Sequence, residues 1–336
     1  MYNDLKHKLI PVSVEEEWKG ETSDLPVMAV HSWNYCKAMS NSVEGEILLA
    51  VIKTDNGKIC CPVQIRVKED GFKDIVTPYG FGGILYTTKK SFFNEAFDEW
   101  TVFWRKEGAV TAYIMQHPLL RLDEGIQGPL VDVQSRTVYL IDLSLPLKQI
   151  WNNMSSTHRY EIRRLKKEDK LILITEKKEI VDDFIALYYQ TLNRVKASRI
   201  YYFSENTLRE LIFWDKSIVI GVKKENIIVA ISMFIFSDRC AEYFLSASTE
   251  AGRRYSRLLI WNAIEIFKEL SIPYINLGGG VKENDNLELF KKRFGGIEFK
   301  IQILKQIFDK ERYEYLLNKY AKDICTKYFP PYWVKG

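Results

Sequence analysis

The 336-residue chain repeats an order of elements, and that repeat limits its fold more than any single motif does. In the first half EILLAVIK leads through the turn TDNG into KICCPVQIRV. Two β-rich apolar runs around Asp-Asn-Gly read as a β-hairpin. In the second half SIVIGVK, KEN and IIVAISMFIF read the same way, and the turn residues Asn56 and Asn226 lie 170 positions apart. The elements after each hairpin also match. The first half predicts a strand near Asp74–Pro78, a helix roughly over Phe92–Lys106 and a strand over Ala109–Met115. The second predicts a strand over Ala241–Ala247, a helix roughly over Tyr255–Glu269 and a strand over Tyr274–Leu277. Leu258, Leu259, Ala263, Ile266, Phe267 and Leu270 give that helix its spacing. Helices over Leu147–Lys167 and Ile180–Val195 open the second half.

Strands alternating with helices predict an α/β fold of mixed sheets with helices on their faces, built twice. The junction is placed at Asp142–Pro146, giving domains over 1–145 and 146–308. A last helix over Asp309–Tyr320 carries Tyr313, Leu316, Leu317 and Tyr320 as an apolar stripe. It is expected to pack on the first domain, so that 309–336 completes that domain.

The formal net charge of +4 hides an asymmetry. Residues 1–150 hold 16 Lys and Arg against 20 Asp and Glu, and residues 151–336 hold 32 against 24. The cations cluster at Arg159, Arg163, Arg164, Lys166, Lys167 and Lys170, at Arg253, Arg254 and Arg257, and at Lys291, Lys292 and Arg293. Such a field steers a polyanion such as RNA or a diphosphate, and Arg159, Arg163 and Arg254 are candidate contacts. Carboxylates between them, such as Glu161, Glu168 and Asp169, fit a solvated helix face equally well.

Several chemistries are missing from the sequence. The histidines His7, His31, His117 and His158 have no metal-ligand partners at helical or hairpin spacing, so no metal is expected. Gly-x-Ser-x-Gly and the Walker A motif are absent. Gly80-Phe81-Gly82-Gly83 begins like a dinucleotide fingerprint but lacks its third glycine. Beyond His158 no histidine remains, so proton transfer in the basic half falls to carboxylate, Tyr, Lys, water or the substrate. Five cysteines without Cys-x-x-Cys fit reduced thiols. The longest apolar run, Ile227–Phe236, covers about a third to a half of a bilayer core. MYNDLKHKLI lacks the pattern of a signal peptide. A cytoplasmic protein, monomeric or weakly dimeric, is expected.

The densest signal is YINLGGGVKENDNLELFKKRFG, residues 274–295. A short strand ends in Gly278, Gly279 and Gly280, where the backbone can turn sharply and approach a ligand closely. Asp285 and Glu288 form an N-cap pattern for a helix whose buried face is expected to hold Leu287, Phe290 and Phe294, with Lys291 at its edge. A glycine turn, a capped helix and a glycine stop account for all of this except the need for three consecutive glycines.

Leu-Gly-Gly-Gly after a strand, then Asn-Asp-x-Leu and Phe-Lys-x-x-Phe-Gly, resembles the C-terminal half of the FemAB-like transferases, tandem relatives of the GNAT acetyltransferase fold. Thr77-Pro-Tyr-Gly-Phe-Gly-Gly83 resembles the first-domain glycine loop of that group, His31–Lys37 its early Trp-containing helix, and His158–Lys167 its Arg-rich linker helix. The resemblance covers roughly residues 25 to 320 and implies two tandem GNAT-like domains. It also implies transfer of an aminoacyl or acyl group onto an amine of a cell-wall or surface-polysaccharide precursor, a nucleotide- or lipid-linked amino sugar or peptide. The family's lysine that stabilises charge in the transition state falls on Lys291, and a strand tyrosine on Tyr243. A site for the acceptor's diphosphate falls on Arg199 with Tyr201 or Tyr202, one residue off the family spacing. An early lysine of the same role falls on Lys37, which with Tyr79 is expected to line an acceptor cleft.

Two donors are open, and neither is a bound cofactor. Aminoacyl-tRNA suits the basic half. Acyl-CoA is the other, and classical acetyltransferases of the resembled fold bind its pyrophosphate with a glycine-rich loop at a helix N-terminus. The equivalent place, Ser248–Ser256, keeps Gly252 but carries Arg254 where the next glycine belongs. The family's long helical arm is also absent. A non-catalytic binding protein with this fold is the third possibility.

Overall fold

The computed structural model describes residues 7–87, 93–122, 126, 130–282, 285–322, 324, 326 and 328–334; Phe92, Asn284 and Cys325 fall outside these ranges. The elements run β1 (His7–Pro11), α1 (Glu15–Thr22), α2 (Trp33–Ser40), β2 (Glu46–Thr54), β3 (Gly57–Val67), β4 (Lys73–Val76), β5 (Leu85–Tyr86), α3 (Phe93–Lys106), β6 (Ala109–Met115) and β7 (Val131–Asp142). They continue with α4 (Leu147–Asn153), α5 (Ser156–Leu165), β8 (Leu171–Ile174), α6 (Lys177–Arg194), α7 (Glu205–Phe213), β9 (Ser217–Lys224), β10 (Ile227–Phe236), β11 (Ala241–Ser248), α8 (Ser256–Glu269), β12 (Tyr274–Asn276), α9 (Asn286–Lys292), β13 (Ile297–Ile307) and α10 (Lys310–Tyr320). The chain forms two compact units: residues up to Arg136 with those from Ile301 onward, and Thr137–Lys300.

Both units use one strand plan. In the first, the order is β1, β2, β3, β4, β6, β13, antiparallel except for the β4–β6 pair. In the second it is β8, β9, β10, β11, β12, β7, antiparallel except for β11–β12. Each plan takes its last strand from across the expected junction: β13 comes after β12 in sequence but lies on β6, and β7 comes after β6 but lies on β12. The two hairpins have two-residue turns, Thr54 pairing with Gly57 and Lys224 with Ile227. Glu225 and Asn226 both take positive φ, as a type I′ turn requires.

Each sheet is covered by its amphipathic helix. In the second unit Leu258, Leu259, Ala263 and Phe267 of α8 pack on Ile220, Val222, Ala230 and Phe234. In the first, Phe93, Phe97, Trp100 and Trp104 of α3 pack on Ala50, Ile52, Ile75 and Ile114. Leu316 of α10 packs with Val110 and Tyr332, and Tyr313, Leu317 and Tyr320 lie beside them. The helix expected over Leu147–Lys167 is two helices. Met154 and Ser155 are extended, the Ser155 hydroxyl caps α5 at His158 N, and the Ser155 N–H reaches Arg293 O instead of a carbonyl four residues back. Cys36, Cys60, Cys61 and Cys240 are free and buried, and burial holds their thiols protonated. Among the described residues no helix is long and apolar enough to cross a membrane.

Candidate active site

The parallel strand pair differs between the two units. In the first unit β4 and β6 pair from Lys73 to Val76, and the pairing then continues. Thr77 N–H reaches Tyr113 O, Gly82 bridges to Gln116, and the Gln116 amide pairs with both backbone groups of Ile84, each at 2.8 Å. In the second unit β11 and β12 pair only at Ala241–Ile275 and Glu242–Asn276. Strand β11 runs on to Ser248, whereas β12 stops and the chain enters Gly278–Gly280. Tyr243 is therefore the first residue of β11 past the last pair. It is half-buried, and burial pushes its phenol up.

The turn explains its three glycines. Gly278 has φ +69°, in the left-handed region. A Cβ on Gly279 would lie 2.2 Å from Thr137 O of β7. A Cβ on Gly280 would lie 2.5 Å from an Asp285 carboxylate oxygen and 2.7 Å from Lys282 O. That carboxylate accepts from the N–H groups of Val281, Lys282 and Glu288 at 2.7–2.8 Å, so it closes the loop and caps α9 together. These backbone donors hold Asp285 below the usual carboxylate range.

Helix α9 keeps only part of the expected buried face. Leu287 is 41% exposed, and Leu289 is exposed too, whereas Glu288 and Lys291 are each only 8% exposed. Phe294 is buried and Phe290 half-buried, as the spacing indicates. The inward face of α9 meets polar partners. Lys291 Nζ donates to Gly279 O at 2.8 Å, and Tyr139 OH donates to Glu288 Oε1 at 3.1 Å. Burial, then the Glu288 carboxylate, pushes the Tyr139 phenol up to about 12. Lys292, next in sequence, is exposed and pairs with Glu298 at 2.8 Å. Lys291 is thus a buried, aimed ammonium and not part of a solvated face.

The last turn of α9 is tied to α5. Ser155 N–H bonds Arg293 O, and His158 Nε2 donates to Phe290 O at 3.1 Å. The Arg257 guanidinium faces the other ring nitrogen, Nδ1, at 3.4 Å. Burial first and Arg257 second push His158 down to about 4. The unfolded chain therefore takes up a proton between about pH 6.5 and 4 that the folded chain resists, so His158 lowers stability as pH falls through that window. The difference in urea midpoint between wild type and His158→Gln is expected to shrink over this range. A difference that stays constant with pH would remove His158 from the acid response.

The other sequence-selected residues occupy separate elements. Arg159 donates to Asn152 O and Met154 O at 2.7 and 3.0 Å, closing the C-terminus of α4. Arg163 lies over the Trp151 ring, and Arg199 is exposed on a single 3₁₀ turn before α7. Tyr202 OH donates to Asn193 Oδ1. Arg254 meets Glu168 at 2.9 Å and the Tyr255 hydroxyl at 2.8 Å. In the first unit Lys37 lies over the Trp33 ring, and the Tyr79 carbonyl accepts from Tyr35 OH. The structure thus joins the Gly278–Gly280 turn to Lys291 and leaves the arginines on α5, the 3₁₀ segment before α8 and the α6–α7 connection. Tyr139, Glu242, Asn276 and Glu288 were missed. Only Glu288 had a signal, as the third residue after the cap, and it pointed to the helix N-terminus instead of Tyr139.

No protein-family model matches the chain, and no curated protein matches it by sequence. Solved structures do. FemX aligns over 92% of this chain and 99% of its own, with TM-score 0.62 and 13% identity. The C-terminal domain (DUF2156) of a putative lysylphosphatidylglycerol synthetase from Agrobacterium fabrum aligns over 89% and 94%, with TM-score 0.58 and 15% identity. L-PGS from Bacillus licheniformis aligns over 88% and 92%, with TM-score 0.56 and 13% identity. At these identities the likeness is one of fold. The chain shares the fold of FemX and of these two proteins, with one strand plan used twice.

Proposed function

We propose that the chain is an acyltransferase that moves an aminoacyl group onto an amine of a cell-wall or surface-polysaccharide precursor, with aminoacyl-tRNA as donor and the cytoplasm as its site of action. The observation that carries this reading is the buried Lys291 ammonium, held 2.8 Å from Gly279 O where β11 and β12 part. In aminolysis of an ester the amine nitrogen bonds to the acyl carbon, the carbonyl oxygen gains negative charge, and the ester C–O bond then breaks. A fixed cation beside that oxygen stabilises the transition state more than the ground state. The ring nitrogens of His158 face Phe290 O and Arg257, so the proton lost by the amine passes to the departing ester oxygen directly within the substrate, through water, or through the neutral Tyr243 phenol as a relay.

The loop before α8 favours tRNA over acyl-CoA. Ala251–Tyr255 is a 3₁₀ segment, the Gly252 N–H bonds the Thr249 hydroxyl, and a Cβ on Gly252 would lie 1.8 Å from Val229 O. Arg253 and Arg254 pair with Glu250 and Glu168. The Gly252 donor and the two cations that would cradle a pyrophosphate are therefore engaged within the chain.

Single-turnover transfer from aminoacyl-tRNA and from acetyl-CoA to amino-sugar precursors tests the donor. Transfer from the tRNA ester, with binding that weakens steeply with salt, is the expected result. Replacing exposed Arg163 or Arg199 by Gln should flatten the slope of log K against log salt by roughly 1 for each phosphate no longer neutralised. Transfer from acetyl-CoA alone would establish the acyl-CoA reading, and slopes unchanged in both variants would mark these arginines as solvated surface.

A further inference from the structure

The Lys291 ammonium is aimed at a backbone carbonyl on a glycine turn, and neighbouring side chains hold that turn. Asn276, the last residue of β12, is buried, and its side chain bonds in two directions. Its Oδ1 accepts the Gly278 N–H at 2.8 Å, and its Nδ2 donates to Glu242 Oε2 at 2.8 Å. Glu242 is itself buried, on the last β11 residue that pairs with β12. On its far side the turn is fixed by β7, since Tyr139 N–H reaches Gly278 O at 3.2 Å and Leu277 N–H reaches Tyr139 O at 2.9 Å. The next carbonyl along is Gly279 O, the acceptor for Lys291.

We propose that Asn276 and Glu242 are positioning residues for Lys291. The Glu242 carboxylate fixes which way the Asn276 amide faces, and the amide oxygen then holds the Gly278 peptide. That sets the direction of the Gly279 carbonyl and so of the ammonium. An amide at position 276 suits this because one side of it must accept and the other must donate. A buried carboxylate suits position 242 because a charged acceptor orients the amide more strongly than a neutral one. The proposal rests on the reading of Lys291 above only for its catalytic consequence; the placement of the ammonium is a separate claim.

The test exchanges donor and acceptor. Asn276→Asp keeps the acceptor for Gly278 N–H but sets two carboxylates against each other. Adding Glu242→Gln restores a donor–acceptor pair with its polarity reversed. Reductive methylation with formaldehyde and borohydride, resolved by peptide mass spectrometry, reads the exposure of Lys291 against Lys292 in the same molecule. Asn276→Asp is expected to raise the relative labelling of Lys291 at least tenfold, and the double variant to return it to within about twofold of wild type. Single-turnover kcat should fall and recover in parallel, with KM little changed. Should Asn276→Asp not fold, Asn276→Ser is read in the same way. Labelling that stays at the wild-type level, or that rises and is not rescued, overturns the proposal. Labelling that moves as expected while transfer is absent, or indifferent to the variants, leaves Lys291 positioned by this pair and removes its role in acyl transfer.

Discussion

Lys291→Met is expected to slow single-turnover transfer by roughly 10²-fold, on the order of 3 kcal/mol in activation, the cost of losing one donor to a developing oxyanion. Methionine keeps the length and much of the volume of lysine, so packing inside the turn changes little. Stability is expected to respond as well, because the half-buried Gly279 carbonyl loses its partner. Lys292→Met provides the internal control: that side chain is exposed, paired with Glu298 on the surface, and its loss should leave both quantities near wild type. Equal and small effects on transfer from the two substitutions would take Lys291 out of the mechanism.

The largest expected loss of stability lies in the first unit. Asp74 of β4 is fully buried and accepts Thr111 Oγ1 at 2.6 Å, Tyr332 OH at 2.8 Å and Trp333 Nε1 at 2.8 Å. Three donors on one carboxylate tie the C-terminal segment to β4 and β6. The Trp333 ring also carries Arg66 and Lys68 within 4.7 Å of its centre. Asp74→Ala leaves three donors unsatisfied, two of them buried, and opens a polar void beneath Tyr332. The expected cost is about 3 kcal/mol or more, read as a shift of the urea midpoint. Asp74→Asn, which keeps one acceptor oxygen but offers a donor where Trp333 or Tyr332 already donates, should fall between. The exposed Asp70 carboxylate, paired with Lys319, serves as comparison, and its replacement by Ala should matter little. A wild-type midpoint in Asp74→Ala would mean that the tail is held by apolar packing alone.

Local signals along the chain were sufficient for most elements and for the duplication. Apolar runs with a two-residue polar turn between them have one economical pairing, and both hairpins form in register around Asn56 and Asn226. The 3.6-residue spacing in α8 marks a face that buries against whatever sheet is present, and the glycine turn and the cap at Asp285 are short-range backbone chemistry. Two decisive features belong to the tertiary structure. The first is strand exchange. Val131–Asp142 and Ile297–Ile307 form strands, but nothing local in their residues says which sheet edge each completes, because any exposed edge offers the same row of N–H and C=O groups. Packing and connection place β7 on β12 and β13 on β6. The second is the inward turn of Glu288 and Lys291. Sequence spacing assigns Leu287 to the buried side of α9, because apolar burial is the default when no partner is known. Tyr139 OH, 149 residues from Glu288, and Gly279 O, 12 residues before Lys291 across the glycine turn, supply partners that make burying a carboxylate and an ammonium favourable and leave Leu287 outside. Whether a charge can be buried depends on the groups that meet it, and those groups converge only in the folded chain.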